Sequence, residues 1–291
     1  MPILTQGPDG NPRTPKFRCP PGTVDSHIHL FGPATQYPFD SNSYYTSVDQ
    51  LPETSIALQD KLGIARAVII SAGGYGRNTR HLADTLARFP DRFRGVALIP
   101  DDMPDAEFAR LTRLGVRGLR CMSASRGGVL PTIDPDVAAR AFAHGWHVQF
   151  YPHGADIADF ADRLLGLPNT IVLDHFASIP AERGLDHAGF KTLLRMLDTG
   201  RVWIKLSGPM RCMPGDFPYA ALTPIARALV AHAPERLVWG SDWPHVNMDG
   251  RGMPNDGDLV DMIPDWIVDA NDLQRILVDN PCALYGFPAH T

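Results

Sequence analysis

"VDSHIHLFGP" fills residues 24–33. An apolar frame carrying His27 and His29, closed by a Gly-Pro pair, reads as a short buried strand ending in a turn. Residues two apart on a strand face the same side, so the two imidazoles share one face. Burying both costs desolvation that packing alone does not justify, which points to a functional site. Far along the chain, "GSDWPHVNM" (240–248) repeats the layout, with Asp242 just past another apolar run.

Outward from these two stretches, short apolar runs recur at 23–31, 65–73, 93–100, 115–122, 147–153, 169–176, 202–208 and 236–244. Each is bounded by turn residues, and together they are eight candidate strands. Helical patterns lie between them. In "DIADFADRLLG" (156–166), Ile157, Phe160, Ala161, Leu164 and Leu165 form one apolar stripe, and Gly166 is placed to close the helix. In "YAALTPIARALVAHA" (219–233), Leu222, Ile225, Leu229 and Val230 form another. Strand–helix alternation repeated eight times predicts an α/β fold, a (β/α)8 TIM-like barrel with some distortion. A doubly wound open sheet is the alternative.

The Pro/Gly-rich residues 1–22 read as an N-terminal arm, and residues 23–291 as one catalytic domain. The segment around 32–52 is a long first strand–helix loop rich in aromatic residues, the kind that covers a substrate. The chain has 291 residues, 44% of them hydrophobic and 20% charged, with a net charge of −5. That balance implies no nucleic-acid partner. No apolar run is long enough to span a membrane. The start lacks the pattern of a secretory signal, and the four scattered cysteines favour reduced thiols, so a cytoplasmic protein is expected. A homo-oligomer is compatible with all of this.

In a barrel, functional groups gather at the C-terminal ends of strands. His27 and His29 sit there on the first predicted strand, Arg120 on the fourth, Tyr151 on the fifth, His175 on the sixth and Asp242 on the eighth. Arg126 and Arg211 follow the fourth and seventh. Taken singly, His175 reads equally as a hydrogen-bonded core residue, Asp242 as a turn cap and each arginine as a surface ion pair. His81, His144, His187 and His232 read as surface residues. Gly73-Gly74 lacks the spacing of a nucleotide-binding loop and reads as a tight turn.

The conjunction of "HIH" on strand 1, "LDHF" on strand 6 and "GSDWP" on strand 8 resembles the amidohydrolase superfamily, in its branch of small-molecule lactonases and decarboxylases (amidohydrolase-related family 2). "GWHVQFY", "VDMIP" and "DNPCALY" extend the resemblance over nearly the whole chain after the arm. The resemblance implies a hydrolase that opens a carboxylated lactone, 2-pyrone-4,6-dicarboxylate being the expected substrate. It implies Asp242 as general base and His27, His29 and His175 as hydrogen-bond donors to the oxyanion. It implies Arg120, Arg126 and Arg211 as anchors for the substrate's carboxylates, and Tyr45 and Tyr151 as further binding residues. One departure stands out: a serine used by the lactonases after strand 2 falls on Gly73.

No cofactor is expected. Opening a 2-pyrone ring expels a conjugated enolate, a leaving group good enough to need little Lewis-acid help. The alternative is one zinc ion on His27, His29 and Asp242, with His153 or His175. Such a site would suit a zinc-dependent decarboxylase or a lactonase for another carboxylated lactone. A non-catalytic binder of acidic metabolites is the remaining reading.

Overall fold

The computed structural model describes residues 2–122, 134–153, 156–213, 217–248 and 250–289. Eight parallel strands succeed one another around the sheet: β1 (Val24–Ile28), β2 (Arg66–Ile70), β3 (Phe93–Ala97), β4 (Val116–Met122), β5 (His147–Tyr151), β6 (Ile171–Leu173), β7 (Val202–Ser207) and β8 (Leu237–Gly240). Each falls inside its predicted run. β8 returns to β1 just beyond its own end: Asp242 N donates to His27 O at 2.9 Å, and His29 N to Trp243 O at 2.8 Å. The sheet thus closes into the expected barrel, and the open alternative is discarded.

The closure is also why residue 240 is glycine. A Cβ there would lie 2.8 Å from the His27 backbone nitrogen. The Asp25 carboxylate completes the seam, accepting from His27 N at 3.0 Å and Ser241 N at 2.9 Å.

Alternation along the strands sorts the side chains. Val148 and Phe150 of β5, Ile171 and Leu173 of β6, and Val202, Ile204 and Leu206 of β7 join the large core beneath the helices. The intervening residues point into the barrel. Its floor is apolar, with Val24, Val68 and Val96 packed on Tyr285 and Phe287, beside a cluster of Val172, Trp203 and Val238. Higher up, the same alternation delivers Gln149, Lys205 and Ser207 to the interior, all fully buried.

The two predicted helical stripes each begin as a separate short turn. Asp156 caps Ile157–Asp159, and the α-helix runs only over Ala161–Leu165, because Phe160 sits at φ −117°, ψ −10°. Similarly a turn at Ala220–Leu222 precedes the helix Thr223–His232.

Segments at the barrel's periphery cover it. Ile3–Leu4 pairs in parallel with Tyr45–Thr46 of the long first loop. The arm is then stitched to the helix Asp256–Asp261, with Phe17 N donating to Asp261 Oδ1 at 2.8 Å. Phe31, Tyr45, Ala72, Tyr75 and Val246 form a buried cluster under the loop. His81, expected at the surface, is buried instead: its ring lies against Tyr37 and Tyr75, and Nε2 is 3.1 Å from Gly32 O. The aromatic loop folds over a helix face that its own sequence leaves polar. All four cysteines are unbridged. Among the described residues no helix is long and apolar enough to cross a membrane.

Candidate active site

The C-terminal mouth of the barrel collects the polar side chains. His27, His29 and His175 are buried, and the Nε2 atoms of all three face Asp242 Oδ1, at 3.6, 3.8 and 3.8 Å. Asp242 reaches this position from a left-handed backbone, φ +68°, in the turn after β8. Arg211 Nε holds its other oxygen, Oδ2, at 2.9 Å. Burial by itself would raise the Asp242 pKa. The Arg211 guanidinium on Oδ2 outweighs it and holds the carboxyl well below the usual carboxylate range.

The imidazoles are neutral. Burial, aided by neighbouring cations, pushes the pKa of His27 down, that of His29 well down, and that of His175 to about 3. Their proton positions follow from their partners. His29 Nδ1 lies 2.8 Å from Ile70 O, a pure acceptor, so Nδ1 carries the proton and Nε2 is bare. This departs from the expectation that all three histidines donate into the site: His29 presents an acceptor. His27 Nε2 is 3.3 Å from it and aligned for a hydrogen bond, so His27 is the donor of that pair. Ser207 Oγ, at 3.0 Å from Nδ1, orients His175.

Of the expected binding residues, Arg120 is buried and donates to Ser71 O, while its Nε has no partner among the described residues. Tyr151 stands edge-on to His175, ring centroids 4.9 Å apart. Tyr45 is buried, its hydroxyl accepting from Gly74 N at 3.1 Å. Arg211 reaches the site but is engaged by Asp242. Arg126 lies outside the described residues. At Gly73 an added Cβ would meet nothing within 4 Å, so the position has room for the serine of the lactonases.

Residues not singled out from the sequence lie directly beneath. Lys205 Nζ donates to Ser26 O at 2.9 Å and Gln149 Oε1 at 2.7 Å, and lies 3.3 Å from Asp174 Oδ1 and 3.5 Å from His27 Nδ1. Gln149 Nε2 in turn donates to Asp174 Oδ2 at 3.0 Å. Burial lowers the Lys205 pKa to about 8, with Asp174 opposing the fall. A lysine inside the apolar run "VWIKLS", at the barrel-facing parity, was the available signal.

His27, His175 and Asp242 offer ligand atoms within 4.8 Å of one another, and His29 Nε2 adjoins them. Nitrogens bound to one tetrahedral zinc at about 2.05 Å stand about 3.3 Å apart, which is the His27–His29 spacing. His27, His175 and Asp242 could hold one ion, with His29 outside that group. His153, the other suggested ligand, is not in this group among the described residues and stacks on Tyr151 instead. Arg120, Arg211 and Lys205 already supply fixed positive charge against Asp174 and Asp242.

A closed parallel barrel with histidines at the ends of β1 and β6 and an aspartate after β8 defines a protein of the amidohydrolase type. The amidohydrolase family model matches residues 24–287, and the chain belongs to that family. It is 36% identical over 286 residues to a 2-pyrone-4,6-dicarboxylate hydrolase of Comamonas testosteroni, covering 94% of this chain and 93% of the relative. It is 33% identical over 284 residues to a 4-sulfomuconolactone hydrolase of Hydrogenophaga intermedia, covering 96% and 94%. The ligand-free crystal structure of an Agrobacterium tumefaciens protein superposes with a TM-score of 0.85 at 28% identity, over 95% of this chain and all of that one.

Proposed function

We propose that this protein hydrolyses a carboxylated lactone, with 2-pyrone-4,6-dicarboxylate as substrate. The observation that carries the reading is the split environment of Asp242, with Oδ2 tied to Arg211 and Oδ1 open to the imidazoles. A water on Oδ1 is positioned to attack a lactone carbonyl while Asp242 takes its proton. The carbonyl oxygen becomes an oxyanion, which His27 Nε2–H stabilises by leaving His29 Nε2 and turning to it. Collapse of the tetrahedral adduct breaks the ring C–O bond, and the ring oxygen leaves as an enolate that takes up the proton. Arg120, whose Nε has no partner among the described residues, anchors a carboxylate of the substrate. The relatives that act on 2-pyrone-4,6-dicarboxylate and 4-sulfomuconolactone support an anionic cyclic ester.

The reaction is proposed to run on these side chains without a metal. The cluster of His27, His175 and Asp242 favours a second reading, in which these residues, with His29 beside them, would hold one zinc ion. Zinc would supply a bound water of lowered pKa.

The test is turnover of 2-pyrone-4,6-dicarboxylate, a sulfonated muconolactone and an uncharged lactone of similar size. Ring opening of the dicarboxylate with the highest kcat/KM is expected. Preference for the sulfonate or the uncharged ring would overturn the substrate assignment.

A further inference from the structure

The contacts of His27 pose a choice that its neighbours resolve. Its Nδ1 faces both an acceptor, Asp174 Oδ1 at 3.3 Å, and a donor, Lys205 Nζ at 3.5 Å. If Asp174 took the Nδ1 proton, His27 Nε2 would be bare. It would then face the bare Nε2 of His29 at 3.3 Å, with two lone pairs opposed in a buried site. A neutral His27 with its proton on Nε2 avoids this and needs a donor at Nδ1. Asp174 Oδ1, 3.3 Å from both His27 Nδ1 and Lys205 Nζ, competes for the same protons, and the His27–His29 contact decides between the two tautomers. Lys205 has three protons and no lone pair. Ser26 O and Gln149 Oε1 take two, and the third lies between Asp174 Oδ1 at 3.3 Å and His27 Nδ1 at 3.5 Å, where the bare His27 Nδ1 of this tautomer can share it.

We propose that Lys205 is a positioning residue that fixes His27 as its Nε2–H tautomer, so that His27 donates to His29 Nε2 in the free site and transfers that one hydrogen bond to the oxyanion during the reaction. The inference rests on the metal-free reading of the reaction, because a bound metal would need a bare His27 Nε2. Proton order then runs in one direction, from Lys205 through His27 and His29 to the Ile70 carbonyl. Lys205 touches no substrate; it acts through His27.

Asp174 provides the means to test this. Its Oδ2 accepts from Gln149 Nε2. In Asp174→Asn the amide oxygen would keep that place and the amide nitrogen would face His27 Nδ1. The substitution turns an acceptor at Nδ1 into a donor.

The experiment is long-range 15N–1H NMR of histidine-labelled protein, chelated and with its metal content measured, the His27 signals being assigned by their loss in His27→Gln. The wild type should show protonated Nε2. Lys205→Met should move the proton to Nδ1, toward Asp174, and lower kcat about 100-fold with KM changed less than about threefold. Lys205→Met/Asp174→Asn should restore the Nε2 proton and recover part of kcat. A wild-type His27 protonated on Nδ1, or a double variant that fails to regain the Nε2 proton, overturns the proposal. Should Lys205→Met not fold, the wild type and the charge-neutral double variant decide the matter. Turnover by the same chelated wild-type sample is read separately: if it is absent, the metal-free reaction fails, whatever the tautomer.

Discussion

Arg211 Nε and Asp242 Oδ2 lie 2.9 Å apart, and this one contact decides which oxygen of the carboxylate can do chemistry. With Oδ2 occupied, Oδ1 faces the histidines. Asp242→Asn should therefore lower kcat by about 10²–10⁴-fold, the usual contribution of a general base, while substrate affinity stays nearly unchanged. Rapid-quench kinetics with equilibrium binding checks both, and a variant with wild-type kcat would remove Asp242 from the role of base.

Arg120 keeps a buried Nε that has no partner among the described residues. Arg120→Met should cost about 2–5 kcal/mol in kcat/KM toward dicarboxylates if its partner is desolvated on binding. Lactones lacking one carboxylate should lose much less. Equal losses across the substrate series would show that Arg120 supports the fold and not the anion.

Metal dependence is read most directly by exhaustive chelation with elemental analysis of the assayed sample. The expected outcome is unchanged kcat, and no stimulation by added zinc. His27→Asn should then retain partial activity, falling about 10²–10³-fold as one oxyanion donor is weakened. Activity lost on chelation and restored by stoichiometric zinc would select the metal-bound reading.

The seam between β1 and β8 has no room at residue 240. Gly240→Ala should destabilise the protein by about 1–3 kcal/mol, the range for overpacking a tight interior, and should also reduce activity because the strain falls on His27. Urea denaturation at constant m-value measures the first effect.

His147, buried in the barrel interior, gives stability a pH dependence. Burial, with Lys205 adding to it, lowers the ring's pKa from 6.5 to about 3. Below pH 6.5 the unfolded chain takes up a proton that the folded chain refuses. Stability is therefore lost as pH falls from about 6.5 toward 3, by up to about 1.4 kcal/mol per pH unit for this group. Urea titrations at pH 7 and pH 5 should show the loss, and His147→Asn should show a smaller difference between the two, whatever its absolute stability.

Much of this molecule follows from local pattern. Alternating apolar runs place all eight strands, and two-residue spacing puts His27 and His29 on one face, because strand parity depends only on neighbouring residues. The positions of His175 and Asp242 at the mouth follow once the strand order is known. Contacts between residues remote in sequence belong to the tertiary structure. Arg211 read from the sequence as a substrate anchor; closure of the barrel adds its hold on Asp242 Oδ2. His29 looked like a donor until Ile70 O, on the neighbouring strand, claimed its Nδ1 proton. His81 looked exposed because nothing in its helix announces the aromatic loop that covers it. Lys205 and Asp174 went unremarked because a lysine in an apolar strand has meaning only beside its partners, and those come from β1, β5 and β6. Sequence parity assigns a side chain to the barrel interior; which atoms meet there, and where each proton sits, depends on distances that only the closed barrel sets.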